Sequence, residues 1–176
     1  MNTKDIIQLL RHQRHDMMNH LQVMQGYLSM GKTDKVHKKM EDVIESFANE
    51  RKLMNLETDE LALWLIQFNT INKNIRLTYD ICIEKQKLTL YEAFILKKCQ
   101  YITEMVQSYG DSDQLYEAKL VLSNENDGKE VWIEFSISGS FQHMGKLTEK
   151  LSEQEDIDTQ WEENEVICRI SINTSN

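Results

Sequence analysis

The stretch Ile6–Asp34, "IIQLLRHQRHDMMNHLQVMQGYLSMGKTD", decides the fold of the first part of the chain. Its apolar side chains recur three and four positions apart, the spacing of one face of an α-helix: Ile7, Leu10, Met17, Leu21, Met24 and Leu28. Gly31 follows the last apolar turn as a stop signal, and Thr33 or Asp34 can cap a new helix. The stretch therefore predicts a long amphipathic helix, a tight turn and the start of a second helix.

The second helix continues the same spacing through Val36, Met40, Val43, Phe47 and Met54. Two helices joined by so short a loop run antiparallel. Further apolar residues widen the seam beyond one line of contact between the helices: Ile6, Leu9, Val23, Tyr27 and Ile44. Because two helices alone cannot cover this seam, we expect the hairpin to pair with a second copy as a homodimeric four-helix bundle.

After about residue 56 the periodicity of the apolar residues changes. We expect, in order, a helix at 61–68 capped by Thr58 or Asp59, a strand at 75–83, a helix at 90–109, strands near 117–124 and 130–138, a helix at 141–151 and a strand at 166–172. The tripeptide Asn126-Asp127-Gly128 between two of these strands is a strong hairpin signal. This mixed order predicts an α+β domain at 57–176 that follows a helical domain at 1–56.

Composition narrows the classes of protein to which the chain can belong. It has 176 residues, of which 40% are apolar, and it lacks an apolar run long enough to span a membrane, so we expect a cytoplasmic protein. The net charge of -9 argues against nucleic-acid binding. Cys82, Cys99 and Cys168 show no C-x-x-C spacing, so they predict buried thiols rather than a disulfide framework or a zinc site.

Charge is distributed unevenly along the chain. Residues 1–40 contain seven Lys or Arg and three Asp, so this part is locally basic although the whole chain is acidic. A second run, the acidic stretch 149–165, is interpreted as a solvated face or loop. The basic part contains the cluster of histidines and arginines on the first helix.

His15 is the candidate catalytic residue within that cluster. On a helix with about 100° per residue it points roughly 135° away from the apolar seam, toward water or a partner, together with Arg11, Asn19 and Gln22. Three interpretations are open: a solvated surface residue, a metal ligand together with His12, or a nucleophile. A neutral imidazole can attack phosphorus and carry a phosphoryl group.

The run Arg14-His-Asp-x-x-Asn19-x-Leu-Gln22, followed by Gly26-x-Leu28 and a short loop, resembles the phosphoacceptor helix of a known family. This is the sporulation initiation phosphotransferase B family, which has relatives among dicarboxylate-sensing histidine kinases. The similarity extends to the exit of the hairpin at 50–56 and to the order of the later elements. By this resemblance the second domain is an α/β sandwich similar to a histidine-kinase ATPase domain.

Glycine spacing distinguishes such a phosphotransferase from a kinase. A kinase needs Gly-x-Gly loops where the backbone approaches the phosphates of ATP. The six glycines form no such pair: Gly26, Gly31, Gly110, Gly128, Gly139 and Gly145. The helix segment 102–109 also lacks the asparagine that a kinase uses for magnesium. The second domain is therefore expected to resemble a kinase domain without nucleotide-binding motifs.

The resemblance implies a phosphorelay enzyme that takes a phosphoryl group from the aspartyl phosphate of one response regulator onto His15. The group then passes to the aspartate of a second response regulator, in the control of sporulation initiation. Arg11 and Arg14 would neutralise the moving group, and Asn19 and Gln22 would position the imidazole or the receiver domain. The chain would bind no cofactor, because the Mg²⁺ belongs to the receiver. An ATP-dependent histidine kinase and a non-catalytic dimeric scaffold remain as alternatives.

Overall fold

A computed structural model describes residues 3–83, 86–111, 113–141 and 143–175. Five α-helices and five strands follow one another in these ranges: α1 Thr3–Ser29, α2 Thr33–Asn55, α3 Asp59–Ile71, β1 Ile75–Ile81, α4 Glu92–Tyr109, β2 Tyr116–Glu125, β3 Glu130–Ser138, α5 Met144–Ser152, β4 Asp158–Glu162 and β5 Glu165–Asn173. The chain forms two compact units, Met1–Glu50 and Arg51–Asn176. The α+β architecture predicted from the sequence, with the helices first, is confirmed.

A glycine-dependent turn ends α1. Gly31 has a φ of +69°, a conformation that costs glycine little because it has no Cβ. Its N–H donates to the carbonyl of Leu28 at 3.0 Å, and the N–H of Lys32 donates to the carbonyl of Tyr27 at 2.9 Å. These two bonds form a Schellman motif, which satisfies carbonyls at the helix end. The predicted stop at Gly31 is confirmed, and α2 begins two residues later.

The first unit leaves much of its apolar surface uncovered. No residue of α1 is buried, and the partly buried side chains of α1 fall on one stripe that includes Met17, Met24 and Tyr27. Beside this stripe lie large apolar side chains that are about half exposed: Ile7, Leu10, Leu21 and Leu28 on α1, and Met40, Ile44 and Phe47 on α2. Soluble domains seldom expose such a continuous apolar face.

The second unit is a five-stranded sheet packed against helices. The strand order is β1-β2-β3-β5-β4. β1 and β2 are parallel, and every other neighbouring pair is antiparallel. Alternate residues of the strands are buried in one core together with the inward faces of α3, α4 and α5. The period-2 pattern of the strands arises because successive side chains point to opposite faces of the sheet.

The turn between β2 and β3 has the conformation that its sequence predicts. Asn126, Asp127 and Gly128 have φ values of 53°, 56° and 83°. Asn, Asp and Gly are the residues that tolerate this left-handed region best. The register pairs Glu125 with Glu130 directly beside the turn, so the predicted hairpin is confirmed.

The cap of α3 differs from the prediction. Thr58 occupies the cap position but makes no side-chain capping bond, and its hydroxyl is buried without a hydrogen-bond partner. Glu92 on α4 supplies the acceptor instead, through bonds to the backbone N–H groups of Glu60 and Leu61. A residue far away in the sequence therefore satisfies this helix start.

Two smaller predictions also need correction. Cys99 and Cys168 are buried as expected, whereas Cys82 is exposed, because it alternates with Ile81 and Ile83, whose side chains point into the core. The acidic stretch 149–165 is not only loop or solvated face, since it contains the strand β4. Within β4, Thr159 and Trp161 are partly buried between exposed neighbours. The predicted helix at 141–151 begins at Met144, and Gln142 lies outside the described residues.

Candidate functional site

His15 lies in the middle of α1, on the side away from the partly buried stripe. Its side chain is 71% exposed. An open hollow of about 710 Å³ lies over this part of the helix, lined by Gln8, Arg11, His12, Arg14, His15 and Met18. Residues at a spacing of three and four share one helix face, which explains why His15 stands between Arg11 and Met18. We call these six residues the His15 face.

One nitrogen of the imidazole has two neighbours. Nδ1 of His15 lies 3.2 Å from Nδ2 of Asn19, one helical turn along the chain. The same Nδ1 lies 3.4 Å from Oδ1 of Asp16. Within the described part of the chain, Nε2 of His15 has no hydrogen-bond partner. The two nitrogens of the ring therefore stand in different environments, with Nδ1 held by the protein and Nε2 available to a partner.

The five residues predicted for the site do not all come together in the structure. Arg11 and Arg14 line the hollow with His15, and Asn19 contacts the ring directly. Gln22 lies on the same side of α1, about two turns beyond His15, but it neither lines the hollow nor contacts the imidazole. Arg11, Arg14 and Asn19 therefore lie close to His15, whereas Gln22 does not contact it.

Asp16 is a further neighbour of the imidazole, and helical spacing does not predict it. Consecutive helical residues point about 100° apart, so the position of Asp16 on the helix suggests no contact with His15. The structure nevertheless places its carboxylate beside Nδ1, because both side chains can bend toward each other over the exposed surface. A carboxylate directly after the histidine was the available signal in the sequence.

The electrostatic environment of the His15 face is basic. Within the described ranges, neither Arg11 nor Arg14 forms an ion pair. The guanidinium of arginine stays charged and presents several donors that match phosphate oxygens. Among the residues that the structure describes, the only carboxylate in contact with the ring is that of Asp16. The unpaired guanidinium groups of Arg11 and Arg14 can attract an anionic group toward Nε2 of His15.

Metal binding by the His12 and His15 pair would need further ligands. Among the residues that the structure describes, no group of three or more His, Cys, Asp or Glu side chains could hold a metal ion. A stable site generally needs at least three protein ligands. The chemistry that the residues of this face support is nucleophilic attack by an exposed imidazole on an anionic electrophile.

A second hollow, of about 320 Å³, lies over strands β2, β3 and β5 of the sheet, and Val121, Trp132, Glu134 and Arg169 are among its lining residues. Arg169 donates to Glu134 at 2.7 Å and to Gln160 at 2.8 Å. Its charge is already paired, so the His15 face remains the candidate site.

In the described ranges no helix is long and apolar enough to cross a membrane.

Comparisons with known proteins cover both units. Residues 1–56 match the family model described as Sensor_kinase_SpoOB-type, alpha-helical domain. Residues 57–173 match the model described as Sporulation initiation phospho-transferase B, C-terminal. Sporulation initiation phosphotransferase B of Bacillus subtilis (strain 168) is 27% identical over 139 residues, which are 79% of this chain and 72% of that protein.

Two solved histidine kinases are also similar in structure. The blue-light activated histidine kinase of Erythrobacter litoralis EL346 has a TM-score of 0.49 and 14% identity, covering 99% of this chain and 61% of the kinase. The catalytic domain of histidine kinase ThkA has a TM-score of 0.45 and 17% identity, covering 68% of this chain and 92% of that domain. Neither similarity is high enough to indicate function.

Proposed function

This chain belongs to the sporulation initiation phosphotransferase B family, and we propose that it transfers phosphoryl groups between two response regulators through a phosphohistidine at His15. The family supports a phosphotransferase role in a phosphorelay. The identification of His15 as the carrier rests on one observation: it is an exposed imidazole that lines the same hollow as Arg11 and Arg14, neither of which forms an ion pair within the described ranges. The control of sporulation initiation and a cytoplasmic location are parts of the same proposal.

The reaction needs a nucleophile and charge neutralisation. The lone pair of a ring nitrogen attacks the phosphorus of an aspartyl phosphate on the donor. The bond from phosphorus to the aspartyl oxygen breaks, and its electron pair leaves with the carboxylate. In the second half the acceptor's aspartate attacks the same phosphorus, and the electron pair of the P–N bond returns to the imidazole. Both half-reactions move one phosphoryl group from one nucleophile to another. Most of the catalysis therefore comes from the positioning of the reacting groups and from the neutralisation of the phosphoryl group's negative charge.

Arg11 and Arg14 have the charge-neutralising role in this proposal. The transferring phosphoryl group carries negative charge, and guanidinium groups on the same helix face can contact its oxygens. They also attract an acidic partner surface, which raises the rate of encounter. Asn19 and Gln22 position the imidazole and the receiver domain. The chain itself binds no cofactor, and the receiver supplies the Mg²⁺ that neutralises its own aspartate and phosphate.

The half-exposed apolar side chains of the first unit support the proposed homodimer: Ile7, Leu10, Leu21 and Leu28 on α1, with Met40, Ile44 and Phe47 on α2. Two copies that pack these side chains together would form a four-helix bundle, and two-fold dimers are the commonest closed assemblies. His15 points away from these side chains of α1, so dimerisation through them would leave its imidazole open to a receiver domain. Each dimer would then present two equivalent sites.

Phosphoryl transfer between two purified receivers tests the proposal. The wild-type chain should pass label from a phosphorylated donor receiver to an acceptor receiver, and His15→Gln should abolish transfer. His37→Gln is the matched control, because His37 is also an exposed helical histidine and should transfer normally. Transfer by His15→Gln at the wild-type rate would refute the role of His15.

The same assay separates the two alternatives. An ATP-dependent kinase would label itself from ATP and magnesium without a receiver, which we expect not to occur. A scaffold would bind both receivers but would never carry label, and His15→Gln would leave its binding and its effect on the relay unchanged. Label on the wild-type chain that comes only from a phosphorylated receiver excludes both alternatives.

A further inference from the structure

The sheet of the second unit buries one of its faces and leaves the other partly open. The helices α3, α4 and α5 pack on the buried face. Along β3, Val131 and Ile133 are buried in that core, whereas Trp132 between them points to the opposite face. We call the side of the sheet that carries Trp132 and Glu134 the outer face. The open hollow of about 320 Å³ lies on this outer face.

Trp132 is the aromatic side chain that lines this hollow. The strand register places Ser123 of β2 directly on one side of it and Ser171 of β5 on the other. Because serine is small, these two neighbours leave space beside the indole that larger side chains would fill. The indole is therefore only partly buried, and a ligand in the hollow can contact it.

The indole N–H of Trp132 is an unused hydrogen-bond donor. Its Nε1 atom is buried, and within the described ranges it has no hydrogen-bond partner. A buried indole N–H normally donates to an acceptor, which is one reason why tryptophan is common at interfaces. The N–H of Trp161 also lacks a partner, but that ring packs against Phe141 beside the core. Trp132 lines an open hollow, so a partner can bring an acceptor to it.

The charge in the hollow is unbalanced. Glu125, Glu134 and Arg169 all line it, but the guanidinium of Arg169 already donates to Glu134 at 2.7 Å. Glu125 lies directly opposite Glu130 across the β2–β3 ladder, and like charges in this position destabilise a sheet. Within the part of the chain that the structure describes, Glu125 forms no ion pair. The hollow therefore has an excess of negative charge and favours a cation.

We propose that the hollow on the outer face binds an arginine or lysine side chain from a basic segment of a partner protein. This inference is independent of the proposed phosphotransfer at His15. The cation lies over the indole of Trp132 in a cation–π contact and pairs with Glu125 and Glu134. Its aliphatic stem packs on Val121, which also lines the hollow. Small-molecule sites usually measure about 300–1,000 Å³, so this hollow suits one long side chain better than a cofactor.

The surroundings of the hollow favour a segment with several basic residues. On β2, β3 and β5 the outer face carries more carboxylates than basic side chains: Glu117, Glu125, Glu130, Glu134 and Glu165 against Lys119 and Arg169. Lys119 is paired with Asp80, and Arg169 with Glu134. Complementary charge raises the rate of encounter and fixes the orientation of a partner. A peptide also brings backbone carbonyls, which can accept the unused N–H of Trp132.

Nitrogen-15 NMR of the full chain tests the binding. The probe is the blocked peptide acetyl-Gly-Arg-Gly-Arg-Gly-amide, and the control peptide has glutamine in place of both arginines. We expect the arginine peptide to shift the indole N–H signal of Trp132 in a saturable manner and to leave those of Trp64 and Trp161 unchanged. The glutamine peptide should cause little shift. Equal shifts with both peptides, or no shift of the Trp132 signal, would overturn the proposal.

Variants of the outer face locate the binding site. Glu125→Gln should weaken binding of the arginine peptide by about twofold to fivefold, the effect of one exposed ion pair. Glu117→Gln is the matched control, because Glu117 is on the same strand and face but does not line the hollow, and it should bind as the wild type does. Equal weakening by both variants, or none by Glu125→Gln, would show that the hollow is not the site.

Replacement of the aromatic ring gives a second readout. Trp132→Leu should weaken binding of the arginine peptide by about fivefold or more, because it removes the cation–π contact. Binding to this variant is followed through the backbone amide signals of β2, and its thermal unfolding shows whether it is folded. A folded Trp132→Leu variant that binds the peptide as tightly as the wild type would contradict the role of the indole.

Discussion

Oε1 of Glu92, in the first turn of α4, lies 2.7 Å from the backbone nitrogen of Glu60 at the start of α3. The same oxygen lies 3.2 Å from the backbone nitrogen of Leu61. One carboxylate thus satisfies two of the N–H groups that every helix start leaves without intrahelical partners. Its negative charge also interacts favourably with the dipole of α3.

Removal of this carboxylate should destabilise the second unit. We expect Glu92→Ala to lower the free energy of unfolding by about 1 kcal/mol, the usual cost of a lost helix cap. Glu92→Gln should cost less, because it keeps an acceptor oxygen and loses only the charge. Denaturant unfolding measures both effects, with Glu104→Gln, at an exposed position on α4, as the control. Unchanged stability in Glu92→Ala would show that Thr58 or water can replace the cap.

Tyr116 should contribute to stability through its hydroxyl as well as its ring. The side chain is buried, and its hydroxyl accepts a bond from the backbone N–H of Asp111 and donates to the carbonyl of Ser140, both at 2.7 Å. Tyr116→Phe leaves both backbone groups without this partner, which should cost about 1–3 kcal/mol. Tyr91→Phe, for which no hydroxyl contact is found in the described ranges, should change the unfolding midpoint little.

The buried thiols should make stability fall at high pH. Burial raises the pKa of Cys99 to about 12, with a smaller contribution from the nearby Cys168, and burial raises the pKa of Cys168 to about 12. An unfolded thiol ionises near its ordinary value of about 8.5. Between these values the unfolded chain has lost protons that the folded chain keeps, so rising pH favours unfolding.

Each such thiol should contribute a slope of up to about 1.4 kcal/mol per pH unit in this range. Below the unfolded pKa the contribution is constant. Chemical unfolding is measured at a series of alkaline pH values. The free energy of unfolding should decline more steeply with pH for the wild type than for a double variant that carries Cys99→Ala and Cys168→Ala. The exposed Cys82 should have no such effect, so Cys82→Ala should follow the wild-type slope. Parallel slopes for all three proteins would contradict this assignment.

The half-exposed apolar side chains of α1 should hold the proposed dimer together. Leu10 and Leu21 are 54% and 50% exposed in the single chain, and full burial of a leucine contributes about 1.5–3 kcal/mol. A Leu10→Ser and Leu21→Ser double variant should therefore sediment as a monomer at concentrations where the wild type is dimeric. Leu90→Ser is the control, because Leu90 is 92% exposed in the second unit. A monomeric wild type would contradict the four-helix bundle.

Local signals in the sequence were sufficient for most of the fold. The stop at Gly31 and the turn at Asn126-Asp127-Gly128 depend on backbone conformations that few residues adopt, so their positions are visible in the sequence. The strand β4 was missed because only Thr159 and Trp161 point inward, too few residues to show a period. The cap of α3 could not be predicted, because Glu92 is brought to it only by tertiary packing.

The neighbours of His15 could likewise be predicted from the sequence only in part. Helical spacing placed Arg11 on the same face as His15, and both residues line the hollow over α1. Arg14 also lines this hollow, although spacing did not group it with His15. Helical spacing also led away from Asp16, since adjacent residues point in different directions from the helix axis. Its contact with Nδ1 depends on side-chain rotamers, which a periodic pattern does not determine. The contact of Asn19, one turn away, is the type that spacing does predict.

The most direct test of the central claim is to incubate the wild-type chain with a phosphorylated receiver domain and to locate the phosphoryl group by mass spectrometry. We expect one group on His15, labile in acid and stable in base, that disappears when an unphosphorylated second receiver is added. A phosphoryl group on any other residue, or no group on the chain while the second receiver still becomes phosphorylated, would contradict the account.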